Sequence, residues 1–330
     1  MVKTIKIKGE KPFGVLIAND GRKYLPYSLN GAKKVLIVSD ESVFKLHGDT
    51  LKKIIKGSCE NVYTFIYPST ENGKGKHVLD KLLILMTELN VTKEDCLIAF
   101  GSQTVASLVG FASAVFKGGV PYVFVPTTFT AMLNCASKKK AGIDFIGKND
   151  LLSVVNSPVA VFVDPYFLAT NKPQEMQDGY AEVIRLFMAV DKKSLLLLEN
   201  DQIQIEDIIY NIINIKTKQI SAKKQAFAMV FSGAIQNAGA INPTYSKLVA
   251  NGIMFSIDAG MILGKCEDIE HRVAKLFKKF DISFDAGVSS DKVWEQILKG
   301  EDKKVTFVLP TSFGSTKLIQ KTKEKIKETF

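Results

Sequence analysis

The chain has 330 residues, with 44 lysines and arginines against 34 aspartates and glutamates and a formal net charge of +10. Hydrophobic residues at 46% and charged residues at 24% are ordinary for a soluble globular protein, and no apolar run approaches the roughly 18 residues of a membrane helix, so no membrane association is expected. A single core stops growing near roughly 250–300 residues, which predicts two domains, and the charge predicts an anionic partner without choosing between nucleic acid and small phosphate-bearing molecules.

Residues 1–8 alternate apolar and charged side chains, the pattern of a half-buried strand, and lack the apolar stretch of a secretion signal. A cytoplasmic protein is expected. Apolar, β-branched runs then recur at 34–39, 62–66, 97–100, 122–125 and 159–163, each reading as a strand buried on both faces. Helix-patterned segments such as 77–89 and 104–116 separate them at the spacing of βαβ units. The fold class is therefore α/β: a doubly wound, Rossmann-like domain over residues 1–165, with ligands expected beyond the carboxyl ends of the strands, where Asp40, Gly101, Ser102, Thr127, Thr128 and Asp164 stand.

From 166 to 330 helical patterns take over, at 175–190, 203–220, 253–263, 269–280 and 293–298, and only 305–309 reads as a strand. A mainly α-helical second domain is expected, with a cleft between the domains as the default ligand site. The lysine-rich end, 317–327, carries Glu324 and Glu328 at helical spacing and reads as a solvated terminal helix rather than a nucleic-acid arm. No nucleic-acid motif accompanies the charge. Cys59, Cys96, Cys135 and Cys266 stand far apart without a CxxC pair, which predicts buried, reduced thiols rather than a zinc knuckle or a redox pair.

Four short motifs carry the candidate chemistry. Gly101-Ser102-Gln103-Thr104 follows a strand and opens a helix, where backbone amides can cradle a pyrophosphate; a plain strand-to-helix turn is the alternative. Thr127 and Thr128 follow Pro126 at the end of another strand, either as a helix cap or as hydroxyls facing a cofactor. Lys138, Lys139 and Lys140 precede Gly142-Ile143 and Gly147-Lys148-Asn149, a solvated loop or a set of point charges for phosphate. Glu182 and Arg185 lie three apart on one helical face, which taken alone is a surface ion pair.

Together these stretches resemble the 3-dehydroquinate synthase family of sugar phosphate cyclases, and the resemblance runs in order along nearly the whole chain. It implies NAD, zinc, a phosphorylated substrate and a phosphate-eliminating lyase reaction of the shikimate pathway, in aromatic amino acid biosynthesis. It places Asp40, Ser42, Gly101, Ser102, Thr127, Thr128 and Lys148 on the cofactor side. Lys140, Glu182, Arg185, Lys216, Asn242 and Lys303 take catalytic positions, and Asn134, Asn149 and Tyr245 substrate-binding ones. The departures are as informative. Ser102 and Gln103 replace two glycines of a GGG run, Ser107 replaces its following aspartate, and Asn134 replaces another aspartate. Glu182 is the one metal ligand of the family retained, because Tyr245 stands for the first zinc histidine, Val249 for its neighbour, and Asn251-Gly252 is the nearest remnant of the segment that carries the second. His47, His77 and His271, the chain's three histidines, fall at none of these positions. The reading favoured is a homologue that has lost zinc-dependent cyclase activity, a pseudoenzyme without zinc whose basic cleft takes a small phosphate-bearing ligand; NAD binding stays open. The alternative is a divergent NAD-dependent sugar phosphate cyclase, and in either case a homodimer or a partner protein is open.

Overall fold

The aliphatic runs of the first half do form parallel strands in the computed structural model of the protein, which describes every residue except 1, 10, 30, 137–139, 219–221, 241–242, 264–265, 267–268, 286, 300–301 and 330. The chain divides into two compact units, Met1–Asn171 and Lys172–Phe330. In the first, β1 (Lys3–Ile7) and β2 (Phe13–Ile17) form an antiparallel pair, and β3 (Lys34–Asp40), β4 (Asn61–Tyr67), β5 (Cys96–Gly101) and β6 (Tyr122–Pro126) run parallel. A separate hairpin, β7 (Lys140–Phe145) with β8 (Lys148–Val155), precedes β9 (Ala160–Val163), which inserts between β2 and β6. The sheet order is β1-β2-β9-β6-β5-β3-β4. Helices α1 (Leu25–Leu29), α2 (Glu41–Ile55), α3 (Lys76–Glu88), α4 (Gln103–Val115) and α5 (Phe129–Asn134) make the connections.

The central strands β3, β5 and β6 are buried along nearly their whole length, as strands covered on both faces must be. β4 departs from the expectation. It lies at the sheet edge with its first residues exposed, so its β-branched run reflects edge pairing with β3 rather than burial on both faces. The strand β2 and the hairpin β7–β8 were not anticipated, because β8 is exposed along almost its entire length and carries no burial pattern to read. Two of the four cysteines, Cys59 and Cys266, are half-buried rather than buried.

The second unit is mostly helical: α6 (Pro173–Val190), α7 (Lys192–Glu199), α8 (Ile205–Thr217), α9 (Ala222–Gln225), α10 (Met229–Asn237), α11 (Tyr245–Ile262), α12 (Glu270–Lys279) and α13 (Ser290–Lys299). These are followed by an antiparallel pair, β10 (Lys304–Ser312) and β11 (Ser315–Thr322), and by α14 (Lys323–Thr329). The lysine-rich end is thus a strand before it is a helix. Buried Thr316 and half-buried Leu318 alternate with exposed Ser315 and Lys317, a period of two that pairs with β10 and outweighs the helical spacing of the glutamates. Phe307 and Leu309 of β10 join Phe231, Ile235, Ala259, Trp294 and Ile326 in one core, with Trp294 edge-on to Phe231 at 5.4 Å. Among the described residues no helix is long and apolar enough to cross a membrane.

Asp164, at the end of β9, is fully buried and its carboxylate is committed to the fold. It accepts hydrogen bonds from the backbone N–H groups of Asp20, Arg22 and Tyr166 and an ion pair from the Arg22 guanidinium at 2.5 Å. Arg22 also stacks 4.0 Å from the Tyr166 ring. Asp164→Ala is expected to cost about 3–5 kcal/mol of unfolding free energy, because three backbone N–H groups lose their acceptor and the Arg22 guanidinium keeps only the partly exposed Asp20 carboxylate. Urea denaturation measures this, and a loss below about 1 kcal/mol would give the pair the weight of a surface ion pair.

Candidate functional site

At the carboxyl edge of the first unit's sheet the candidate cofactor residues divide into those held by the fold and those left open. Asp40 caps α2 by accepting from the Val43 N–H at 3.1 Å, and the Ser42 hydroxyl donates to the same carboxylate oxygen at 2.5 Å. Thr128 caps α5, accepting from the Ala131 N–H at 3.3 Å. Gly101 has φ +149°, and a Cβ there would stand 2.8 Å from Cγ2 of Val105, so the turn from β5 into α4 requires glycine for its own packing. Ser102 sits at the N-cap of α4 without a side-chain capping bond. Thr127 differs from Thr128: its hydroxyl is buried and, like the Gln103 Oε1, has no hydrogen-bond partner among the described residues. An orphaned hydroxyl beside the amide end of a helix is a donor set that a pyrophosphate fits.

The hairpin separates residues that the sequence suggested would act together. Lys140 begins β7 opposite Val155, whereas Lys148 begins β8 opposite Phe145, after a turn through Ile146 and Gly147 at φ +44° and +73°. At roughly 3.3 Å per residue, Asn149 lies about 20 Å along β8 from the residue facing Lys140. Lys148 and Asn149 are exposed at the hairpin tip. Lys140 instead lines a small recess with Gln103, Ser107, Cys135, Tyr122 and Asn156. That recess joins Lys140 to Ser107 and to the unpartnered Gln103 oxygen, and nothing in the sequence spacing indicated it. Asn134 closes α5, with its amide donating to the Thr130 carbonyl at 2.9 Å. Lys138, Lys139 and Asn242 lie outside the described residues.

In the second unit the structure gathers Glu182, Arg185, Lys216 and Tyr245. α6 is apolar over most of its later turns, so its burial carries Glu182 and Arg185 inside, each 5% exposed. The surface ion pair that their spacing suggests is therefore a buried one. Arg185 grips the carboxylate with two bonds, Nε to Oε2 at 2.8 Å and Nη2 to Oε1 at 2.9 Å. The Lys216 ammonium, from α8, stands 2.8 Å from Oε1, and the Tyr245 hydroxyl, from the first residue of α11, donates to Oε2 at 2.8 Å. The Nη1 of Arg185 donates to the carbonyls of Gln225 and Phe227, two partners that sequence reasoning missed because backbone acceptors leave no signature in residue type. Val249 and Asn251 are buried in α11, with the Asn251 amide on the Lys247 carbonyl. Gly252 lets α11 cross close to α10, since a Cβ there would press on the Ala228 carbonyl at 2.6 Å. Lys303 is exposed where the chain enters β10. His47 bonds Thr170 at 2.8 Å, His77 pairs with Glu71 at 2.9 Å, and His271 is exposed on α12.

A catalytic zinc site takes three N, O or S ligands and keeps a position for water. Both oxygens of Glu182 already hold a cation, so a divalent ion placed there would face two fixed positive charges. This donor set does not fit zinc. Among the described residues no group of three or more His, Cys, Asp and Glu side chains gathers elsewhere. Burial by itself raises the pKa of Glu182, but the adjacent Arg185 and Lys216 charges outweigh it and hold the group at about 2. Burial and the neighbouring Glu182 charge push the Tyr245 hydroxyl up, keeping it a neutral donor. A carboxylate with a depressed folded-state pKa stabilises the fold above its unfolded value of 4.5 and loses that contribution as pH falls toward about 2. Glu182→Gln is expected to destabilise the protein at neutral pH by about 3–5 kcal/mol, because two buried cations lose their counter-charge, and to flatten the fall in stability between pH 4.5 and 2. Denaturant titrations across that range test both effects, and an unchanged slope would remove Glu182 from the acid response.

The family model for the N-terminal region of 3-dehydroquinate synthase matches residues 64–178. The 3-dehydroquinate synthase of Helicobacter pylori strain HPAG1 is 27% identical over 303 residues, 87% of this chain and 88% of its own. That of Clostridium tetani strain Massachusetts / E88 is 22% identical over 302 residues, 85% of this chain and 80% of its own. Among solved structures, a 2-deoxy-scyllo-inosose synthase complexed with carbaglucose-6-phosphate, NAD+ and Co2+ superposes with a TM-score of 0.81 at 15% identity, covering 99% of this chain and 100% of that one. The 2-epi-5-epi-valiolone synthase from Streptomyces hygroscopicus subsp. jinggangensis 5008, with NAD+ and Zn2+ bound, gives 0.79 at 18% identity, covering 98% and 97%. In sequence this chain is a relative of the 3-dehydroquinate synthases, and it has the fold of the sugar phosphate cyclases.

Proposed function

We propose that the protein is a dehydroquinate synthase-like scaffold that has lost zinc-dependent cyclisation and retains a basic surface for a small phosphate-bearing ligand. The observation that carries this reading is the Glu182 carboxylate, whose two oxygens are held by Arg185, Lys216 and Tyr245. Cyclisation of a sugar phosphate in this family needs a Lewis acid on a substrate hydroxyl together with a hydride acceptor. Losing the metal position removes the first requirement, and the cluster offers no substitute, since its hydrogen bonds are directed inward. The ligand would be met by Lys140, whose exposed side chain makes no ion pair or hydrogen bond among the described residues and which lines the recess with Gln103 and Ser107. An exposed lysine ammonium at the head of β7 is a mobile point charge suited to phosphate.

The alternative, an NAD-dependent cyclase, is favoured by one observation. The Thr127 hydroxyl is buried and unpartnered among the described residues, at the strand edge where doubly wound sheets place dinucleotides. The two readings part on metal and turnover. Tag-free protein is expected to carry no stoichiometric zinc and to release no phosphate from the seven-carbon dehydroquinate synthase substrate with NAD and zinc supplied. Metal analysis and a phosphate-release assay on one sample decide it, because steady turnover with bound metal would overturn the proposal. Lys140→Ala is expected to weaken binding of a phosphorylated polyol about tenfold at an unchanged melting temperature, measured by calorimetry. Unaltered affinity would take Lys140 out of the site.

A further inference from the structure

The first unit has a second concavity at the opposite ends of its strands. Where β6 begins, a recess of about 450 Å³ opens between the α4–β6 connection and the segment joining β8 to β9. Small-molecule pockets span roughly 300–1,000 Å³. Its inner surface includes Val120, Pro121 and Tyr122, and among the described residues no aspartate or glutamate lines it. Two cations do: Lys11, from the β1–β2 connection, and Lys93, from the α3–β5 connection.

Both lysines lack an ion pair or hydrogen bond among the described residues. This contrasts with neighbours on the same unit, where Lys33 pairs with Glu94, Lys74 with Asp150, Lys76 with Asp80 and Lys81 with Glu71. Two like charges around one concavity raise its potential and concentrate anions there. The backbone side is open as well. Gly118 and Gly119 have φ +76° and +112°, a Cβ at Gly119 would meet nothing within 4 Å, and the nearest atom to one at Gly118 is the Lys93 ammonium at 3.8 Å. The recess wall is held in place by Asn156, whose amide donates to the Gly110 carbonyl at 3.0 Å and to the Ser113 hydroxyl at 3.1 Å, while that hydroxyl donates to the Val120 carbonyl at 2.6 Å. Asn156 and Tyr122 also line the Lys140 recess, so the two concavities are neighbours across a shared wall.

We propose that this recess is a second binding site, for a small organic anion that presents a phosphate group to Lys11 and Lys93 and lays an apolar portion on the exposed Val155 and Val159. The site is separate from that of Lys140 and does not depend on the reading given to the latter. Phenyl phosphate carries both features and serves as the probe. Titrated into the isotopically labelled full chain, it is expected to shift the backbone amides of Gly118, Gly119 and Val120 in a saturable way and to bind more tightly than inorganic phosphate. The Lys11→Ala/Lys93→Ala variant, checked for fold by its amide spectrum, is expected to lose at least about tenfold in affinity, whereas Lys140→Ala leaves these shifts unchanged. Shifts confined to the neighbourhood of Lys140, equal affinity in the double variant, or no saturable shift at Gly118 and Gly119 would each overturn the proposal. The amide map of the unmodified protein decides the matter even if the double variant fails to fold.

Discussion

A carboxylate withdrawn from water must be met by positive charge or by donors, and the inner geometry of the second unit is arranged around meeting that demand at Glu182. Arg185 comes from the same helix, Lys216 from α8 and Tyr245 from the start of α11, while the remaining arm of Arg185 reaches the carbonyls that follow α9. Four segments distant in sequence are thereby fixed to one point. Such a cluster is weak as a source of net stability, because desolvating three charges costs about as much as their attraction returns. The stability comes from the apolar core of Phe231, Trp294, Phe307 and their neighbours. What the cluster contributes is selectivity: an arrangement that misplaces any one member leaves a buried charge unpaired.

The same cluster bears on chemistry. A divalent ion beside Glu182 would supply two positive charges and an open position for a substrate oxygen. Arg185 and Lys216 supply the two charges without the open position, since Arg185 directs its donors to Glu182, Gln225 and Phe227. Two fixed positive charges thus stand beside Glu182 without the Lewis acidity of a metal ion. An arginine at 185 matters here, because a planar guanidinium bridges both carboxylate oxygens and two carbonyls at once, which an ammonium cannot do. The Tyr245 hydroxyl completes the set as a donor to Oε2.

The sequence made the parallel strands and the helices of both units legible, because burial on two faces writes continuous aliphatic runs and burial on one helical face writes a period near 3.6. It misread segments whose environment is mixed. β8 is exposed on nearly all positions, and β11 alternates lysines with half-buried residues, so a helical charge spacing prevailed in the reading. Within the site, residue types were legible and distances were not. Lys140 and Asn149 are nine positions apart and look like one phosphate-binding element, yet a hairpin holds them at opposite ends. Glu182 and Arg185 look like a surface pair until the apolar residues around them bury both.

Unit by unit, the polar residues of the candidate sites are held in different ways. In the first, the sheet edge keeps its construction: Gly101 is demanded by Val105, Asp40 by the cap of α2 and Asp164 by the Arg22 loop. These residues persist under selection for folding alone, so their presence says little about a ligand. Thr127 is informative for the opposite reason, because the fold gains nothing from a buried hydroxyl without a partner, and the same holds for the Gln103 oxygen. In the second unit the fold uses Arg185 and Tyr245 to hold Glu182. A buried acid left unpaired has a raised pKa. Glu182 is instead paired on both oxygens and held at about 2, which marks Arg185, Lys216 and Tyr245 as a mutually adapted set.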